Sequence, residues 1–265
     1  MTIKRNLKFI VLLVKMKIAR TIAFRASFFG AFIADGINFI IQLLTFSVIY
    51  SQIDSIGDWS RGQMIIFVGT FSMMNGLELV ITYYGVRRIP GYIRDGGLDH
   101  YLTKPGNALL RLSLEETNLG SAPLLLLSGI IIAWGVSIER IHVTPLLILG
   151  YSVLVLLMTL LWYDLEIIWR TIPFFTISAN SLPRLEDDLF ALNFRIPGVL
   201  YKGVFKVVFY FILPYGVMST VPTQMLTNSL TIPGLIHALC IVVAFTAITL
   251  WFWRFGLRHY KSASS

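Results

Sequence analysis

Two carboxylates sit inside stretches that are otherwise apolar: Asp35 in "AFIADGINFI" and Glu78 in "FSMMNGLELV". Each has an asparagine three residues away, Asn38 and Asn75, which sets acid and amide on one face of a helix. An acid in hydrocarbon costs several kcal/mol and turns toward a bundle interior or a water-filled path. Two roles fit this pattern. The four residues form a proton relay or a polar substrate lining, or they are interhelical glue that shares hydrogen bonds across a hairpin. Glu115, Glu116, Asp164 and Glu166 stand near the ends of apolar runs, where Arg111 with Glu115 and Glu166 with Arg170 have the i,i+4 spacing of ordinary helix-end pairs.

No other residues assemble into a recognisable reaction centre. The sequence has no G-x-x-x-x-G-K-[ST] loop to cradle ATP phosphates and no H-E-x-x-H or paired-cysteine metal spacing. His100, His142, His237 and His259 fall in different segments, and the lone Cys240 lies in an apolar run where it serves as filler. The chain reads as a protein without an enzymatic site, cofactor or metal of its own.

The elements that must position Asp35 and Glu78 follow from composition. Hydrophobic residues make up 56% of the 265 and charged ones 14%, with a mean hydropathy of +0.74. This is the balance of an integral membrane protein. A spanning helix needs about 20 mostly apolar residues. Six stretches qualify: Ala26 to Tyr50, Gly62 to Tyr84, Leu109 to Val136, Pro145 to Trp169, Gly203 to Val221 and Pro233 to Phe255. None shows the period-two alternation of a barrel, so helices are expected. Asp35 and Glu78 then lie about 9 to 12 Å deep, at about 1.5 Å per residue.

Of the 22 Lys and Arg, all but Arg61 and Arg140 fall before the first span, around the second and fourth connections, or after the last span. The positive-inside rule makes those regions and both termini cytoplasmic. The net charge of +8 is thereby accounted for as topology, and a nucleic-acid partner is excluded. Residues 1–25 read as an amphipathic helix on the inner leaflet. Lys4, Lys8 and Lys15 lie on one side, Phe9, Leu13 and Met16 on another, and no small-residue cleavage site follows. Trp162, Trp169, Trp251 and Trp253 crowd the inner ends of spans, as an aromatic belt does. The whole of 1–265 forms one membrane domain.

The connection over 85–108 carries a short helical pattern followed by two breakers. Tyr92, Ile93 and Leu98 form an apolar face for a membrane or a partner, Arg94, Asp95 and Asp99 face outward, and Pro105 with Gly106 ends the element. A second inner connection, 170–202, contains "LEDDLFAL", which fits a short surface helix with Ser181 as a cap before Pro183. Pro214 interrupts the fifth span, and "PTQMLTNSLTIP" is too polar for lipid but long enough to dip into protein-lined space.

The stretch "IRDGGLDHYLTKPGNAL" resembles the pattern of the ABC-2 type transporter permeases, in the branch of six-span ABC-2 family transporter proteins. "RIPGVLYKGVFKVVFYFILPYGVMSTVPTQML" is similar to the same branch's entry into the fifth span and its later proline turns. His100 stands where the branch usually has another aromatic, and "VPTQ" stands where it has proline followed by alanine. The resemblance implies an all-α permease subunit of an ABC exporter with six transmembrane helices, an interfacial N-terminal helix, a cytoplasmic coupling helix and an outer re-entrant turn. Two permease chains, identical or related, would pair in the bacterial inner membrane among its lipids and dock two separate ATP-binding subunits, which would hold the ATP and Mg. Carried over by position, Arg94, Gly97, Leu98, Asp99, Leu102 and Pro105 would couple to the ATP-binding subunit. Pro197 and Tyr201 would set the entry to the fifth span, and Pro214 and Pro222 would shape its outer part and the re-entrant turn. The rival reading is a proton-coupled secondary transporter using Asp35 and Glu78, against which stands the lack of an inverted internal repeat. A membrane-bound transferase would need an acid, base or metal constellation beyond these carboxylates.

Overall fold

The computed structural model describes residues 25–176 and 182–260. Residues 1–24 of the expected interfacial helix over 1–25, and the Ser181 cap, fall outside the described residues, while Arg25 opens the next helix. Among those described the architecture is all-helical, and the only strand-like pairing is an isolated bridge between Ile56 and Trp59. Four helical stretches are long and apolar enough to cross a membrane: Arg61–Ile81, Leu119–Glu139, Pro145–Phe174 and Ile232–His259. The pair Gly203–Ile212 and Tyr215–Leu226, bent by 83°, makes a fifth if counted as one. The first helix among the described residues, α1 (Arg25–Ile49), contributes a shorter apolar stretch, Gly36–Ile49.

A tight seam runs between α2 (Arg61–Ile81) and α7 (Ala122–Glu139). Gly62, Gly69 and Gly76 recur every seven residues along one face of α2. A Cβ on Gly69 would come within 2.7 Å of Ile132, and one on Gly76 within 2.8 Å of Leu125. Gly135 answers from α7, where a Cβ would meet Ile66 at 2.7 Å. Small residues let backbones approach where lipid supplies no hydrophobic drive to hold helices together. The seam is tied at one end by Ser60. Its oxygen accepts from Gln63 N in a capping box, and its hydroxyl donates to Glu139.

The helix preceding α7 departs from expectation. The apolar run from Leu109 breaks, so α6 (Ala108–Glu115) is a separate helix and the spanning stretch begins at Leu119. The cause is local. Glu116 leaves helical geometry (φ −112, ψ 51), the Asn118 side chain accepts from Gly120 N at 3.0 Å, and Asn118 N is diverted to Val80 O at 3.0 Å. Between α2 and α6 run three short helices, α3 (Tyr83–Arg87), α4 (Ile89–Arg94) and α5 (Asp99–Leu102).

The long helix α8 (Pro145–Thr171) starts on a Thr144 cap with Pro145 at its first position. It joins the last helix, α13 (Ile232–His259), through two hydroxyls. Thr246 donates to the Asp164 carboxylate at 2.5 Å and Thr249 to the Asp164 carbonyl at 3.1 Å. The helix α9 (Leu182–Arg195) differs from the expected surface helix: its one face is buried. Phe190 and Phe194 pack on Phe71, midway along α2, with ring centroids 4.9 and 4.8 Å away. Gln42 of α1 donates to the Phe194 carbonyl at 3.2 Å.

After α9 the chain turns at Pro197, runs through α10 (Gly203–Val207) and a π-helical turn over Val208–Ile212, and bends at Pro214 into α11 (Tyr215–Met218) and α12 (Thr220–Leu226). Tyr201 fixes this corner. Its hydroxyl donates to Asn193 Oδ1 at 2.9 Å and its ring stacks on Phe209 at 4.7 Å. Gly198 N donates to Thr220 Oγ1 at 2.9 Å, and any Cβ on Gly198 would fall 2.0 Å from the Gly216 carbonyl. Pro222 lies buried inside α12, and the chain leaves that helix at Asn228 with φ 54.

Candidate functional site

A cavity of about 720 Å³ lies between α1, α2, α8 and α9, with Tyr215 of α11 also on its wall. Its size is that of a small-molecule site. Three of the four residues proposed as polar lining, Asn38, Asn75 and Glu78, border it. The side chain of Asp35 lies outside the described ones. Glu78 is 2% exposed and accepts from the Thr82 hydroxyl one turn on.

The cavity also gathers residues that the helix-end reading had assigned to ordinary surface pairs. Glu166 and Arg170 line it and are buried, not solvated; Asp164 is buried too, but against Thr246 and Thr249 of α13. Arg170 makes its ion pair across to α9, Nη1 to Glu186 Oε2 at 2.7 Å, with both side chains under a tenth exposed. Glu166 shares Arg170's field but also feels the like charges of Glu78 and Glu186. The i,i+4 spacing predicts that Glu166 and Arg170 meet, yet the guanidinium is drawn to an acid on another helix. A buried guanidinium pairs with the acid that packing brings to it, not with the one nearest in sequence. Likewise Arg111 lies over the Tyr101 ring, 5.8 Å from its centroid, while Glu116 pairs with Arg88 at 2.9 Å.

Burial pushes the Glu186 carboxyl up to about 7, with Arg170 pulling the other way and Asp187 adding to the rise. One turn along the same helices the wall becomes aromatic, with Trp162 next to Glu166 on α8 and Phe190 next to Glu186 on α9. Phe71 contacts Trp162 at 5.6 Å, Trp162 contacts Phe190 at 4.8 Å, and Phe39 meets Phe194 edge-on at 5.3 Å. Tyr215, on the wall, accepts at its hydroxyl from Trp169 Nε1 at 3.2 Å. The site thus has an acidic end and a ring-lined body.

The second candidate region is the loop over 83–116. Val86, Ile89, Ile93, Leu98, Leu109 and Leu112 form a small core that seats on Ile167 of α8 and Trp253 of α13. Leu98 is fully buried in it. Its apolar face was expected to meet a membrane or partner; the chain's own α6, α8 and α13 occupy that place instead. Gly96 takes φ 73 to make the turn, and a Cβ on Gly97 would meet Tyr92 at 2.9 Å. Gly85 allows α3 onto α6, where a Cβ would lie 2.3 Å from Leu112 O. Asp99 is half-buried, and burial together with the Asp99 carboxylate pushes the Tyr260 phenol up. Of the six residues assigned to coupling, Arg94, Leu102 and Pro105 are exposed, Leu102 at 40%.

Residues 36–264 match the family model of the ABC-2 family transporter protein. The chain belongs to this family. No curated protein and no solved structure matches it. Membership as an ABC-2 transporter makes this multi-pass membrane protein the permease component of an ABC transporter, which associates with ABC ATP-binding subunits. The 83–116 loop and the cavity both pack on α8, the loop through Ile167 and the cavity through Trp162, Glu166 and Arg170.

Proposed function

We propose that this ABC-2 permease is half of the membrane pathway of an exporter in the bacterial inner membrane. The family match over 36–264 carries the reading. Two permease chains, identical or related, pair and sit on two ATP-binding subunits, which hold the ATP and Mg and carry out hydrolysis. The spans number six when α1 and the bent element over 203–226 are both counted, with both termini cytoplasmic by the charge bias.

In this reading the 83–116 loop receives the push of the ATP-binding subunits. Arg94, Leu102 and Pro105 make the contact. Leu98, Gly97 and Asp99 keep the loop stiff, so displacement passes through the buried core to Ile167 and Trp253. Close-packed elements transmit displacement because they do not deform continuously. Movement of α8 against α9 then alters the cavity, which changes the side to which it opens. The re-entrant role of 214–231 and the entry role of Pro197 and Tyr201 belong to the same proposal, supported by the Pro214 bend and the Tyr201 to Asn193 bond.

Co-purification of the tagged chain in mild detergent, followed by an ATPase assay, tests this. An ATP-binding subunit and a second permease chain are expected in the complex, with hydrolysis reduced by Arg94→Glu. A lone chain without ATPase activity would overturn the reading. It would favour proton-coupled transport instead, to which the buried Glu78, Glu166 and Glu186 lend themselves.

A further inference from the structure

Four acids, Glu78, Glu166, Glu186 and Asp187, and two arginines, Arg170 and Arg195, line the cavity. Asp187 and Arg195 are exposed, and Arg170 is engaged by Glu186, which leaves Glu78 and Glu166 without a buried cation of their own. Acid is therefore in excess at the buried end. The pair is itself incomplete: Glu186 Oε1 and Arg170 Nε have no hydrogen-bond partner among the described residues, though Glu186 is 6% exposed and Arg170 5%. A buried charge left without full pairing is costly, and a ligand that supplies the missing donor recovers that cost.

The rest of the wall specifies the ligand's body. Phe71, Trp162 and Phe190 form a contiguous aromatic surface, with centroid separations of 4.8 to 5.6 Å. Their faces attract a cation and pack well against flat rings. The cavity also reaches Ile41 and Ile49 of α1, which are 54% and 37% exposed, so it opens along an outward, apolar side of the bundle. A ligand that partitions into lipid can enter there.

We infer that the cavity binds a monovalent organic cation with an aromatic ring body, its charged nitrogen beside Glu166 and Glu186 and its rings against Phe71, Trp162 and Phe190. Calling this ligand the transport substrate rests on the permease reading; the binding itself does not. An anion would face the acid excess, and a neutral apolar molecule would leave Glu186 Oε1 unpaired.

The test uses the full chain in lipid nanodiscs at about pH 8, with rhodamine 6G as the cationic probe and fluorescein as its anionic counterpart, followed by fluorescence anisotropy against empty nanodiscs. Saturable rhodamine 6G binding is expected, at least about tenfold tighter than fluorescein. Glu166→Gln should weaken rhodamine 6G by about tenfold, while Glu139→Gln, at the far end of α7, leaves it unchanged. Equal affinity for the two dyes in the unmodified chain, or undiminished binding in a folded Glu166→Gln variant, overturns the inference. Recovery of the ATP-binding subunit is scored separately. A complex that hydrolyses ATP but shows no cation preference sinks the ligand class alone, whereas a lone chain that prefers rhodamine 6G keeps the site and sinks the permease reading.

Discussion

The 83–116 loop and the cavity wall have similar ingredients, mixed charges among apolar and aromatic residues, and arrange them inside out relative to each other. In the loop, Leu98, Ile89 and Leu112 point inward and Arg94 and Arg88 outward. Around the cavity, Glu78, Glu166, Arg170 and Glu186 point inward, while the outward face of α1 carries Ile37, Ile40 and Leu44. The loop is ordered as a small soluble domain would be, and the bundle as a membrane protein that shelters its polar groups. In the proposed function one region is touched by another protein, and the other holds something polar away from lipid.

The strongest way to break this contrast is at Arg170. Replacing it with alanine leaves Glu186 buried without its cation, and the expected loss is about 3 to 5 kcal/mol of stability. Thermal unfolding in detergent should show a large drop for Arg170→Ala and substantial recovery in the double variant with Glu186→Gln. If the single variant melts like the unmodified chain, the buried pair is not as described.

Leu98→Ala comes next. Emptying a fully enclosed leucine position costs about 2 to 5 kcal/mol, and the damage should be confined to the loop. Proteolysis between α4 and α6 should accelerate while the bundle helices stay protected. Unchanged proteolysis would mean that Leu98 meets a partner after all.

A smaller effect concerns pH. Burial raises the Glu186 carboxyl from 4.5 to about 7, so the folded chain holds that proton more tightly than the unfolded one. This group's contribution therefore makes stability fall as pH rises from about 4.5 to about 7, and level off above. Cation binding runs the other way and weakens as pH drops through about 7, because the carboxylate is lost. Arg170, Asp187, Arg87 and Glu166 face the same group and modulate the midpoint. Melting curves across this range should flatten in Glu186→Gln; an equal slope in both proteins would contradict the assignment to Glu186.

The smallest expected change in stability is at Leu102. As an exposed position, Leu102→Ala should alter stability by less than about 0.5 kcal/mol, yet it should lower ATPase activity of the assembled complex. A variant that melts normally and hydrolyses normally would remove Leu102 from the contact.

Much of this was legible in the residues themselves. Pro105 with Gly106 marked the end of the loop element, Pro214 marked the bend, and uninterrupted apolar runs marked the spanning helices. Periodicity states that Leu98 has an apolar neighbour but not whether that neighbour is a partner or the chain's own Ile167. Glu166 and Arg170 are four apart and read as a local pair, because nothing local reveals that α9 brings Glu186 to the same guanidinium. The hidden break before α7 had a signal in Asn118, a capping residue type within an apolar run, overshadowed by the leucines from Leu109 onward. Contacts between distant segments are where sequence reasoning stops.

The central claim is that the outward face of the 83–116 loop meets an ATP-binding subunit. It is tested most directly by cross-linking Leu102→Cys, in a Cys240→Ala background, to the co-expressed ATP-binding subunit with a short bifunctional maleimide. Ile138→Cys, exposed at the far end of α7, serves as the control. An adduct from position 102 that changes on addition of ATP is expected, and none from position 138. An adduct from position 138 alone would contradict it.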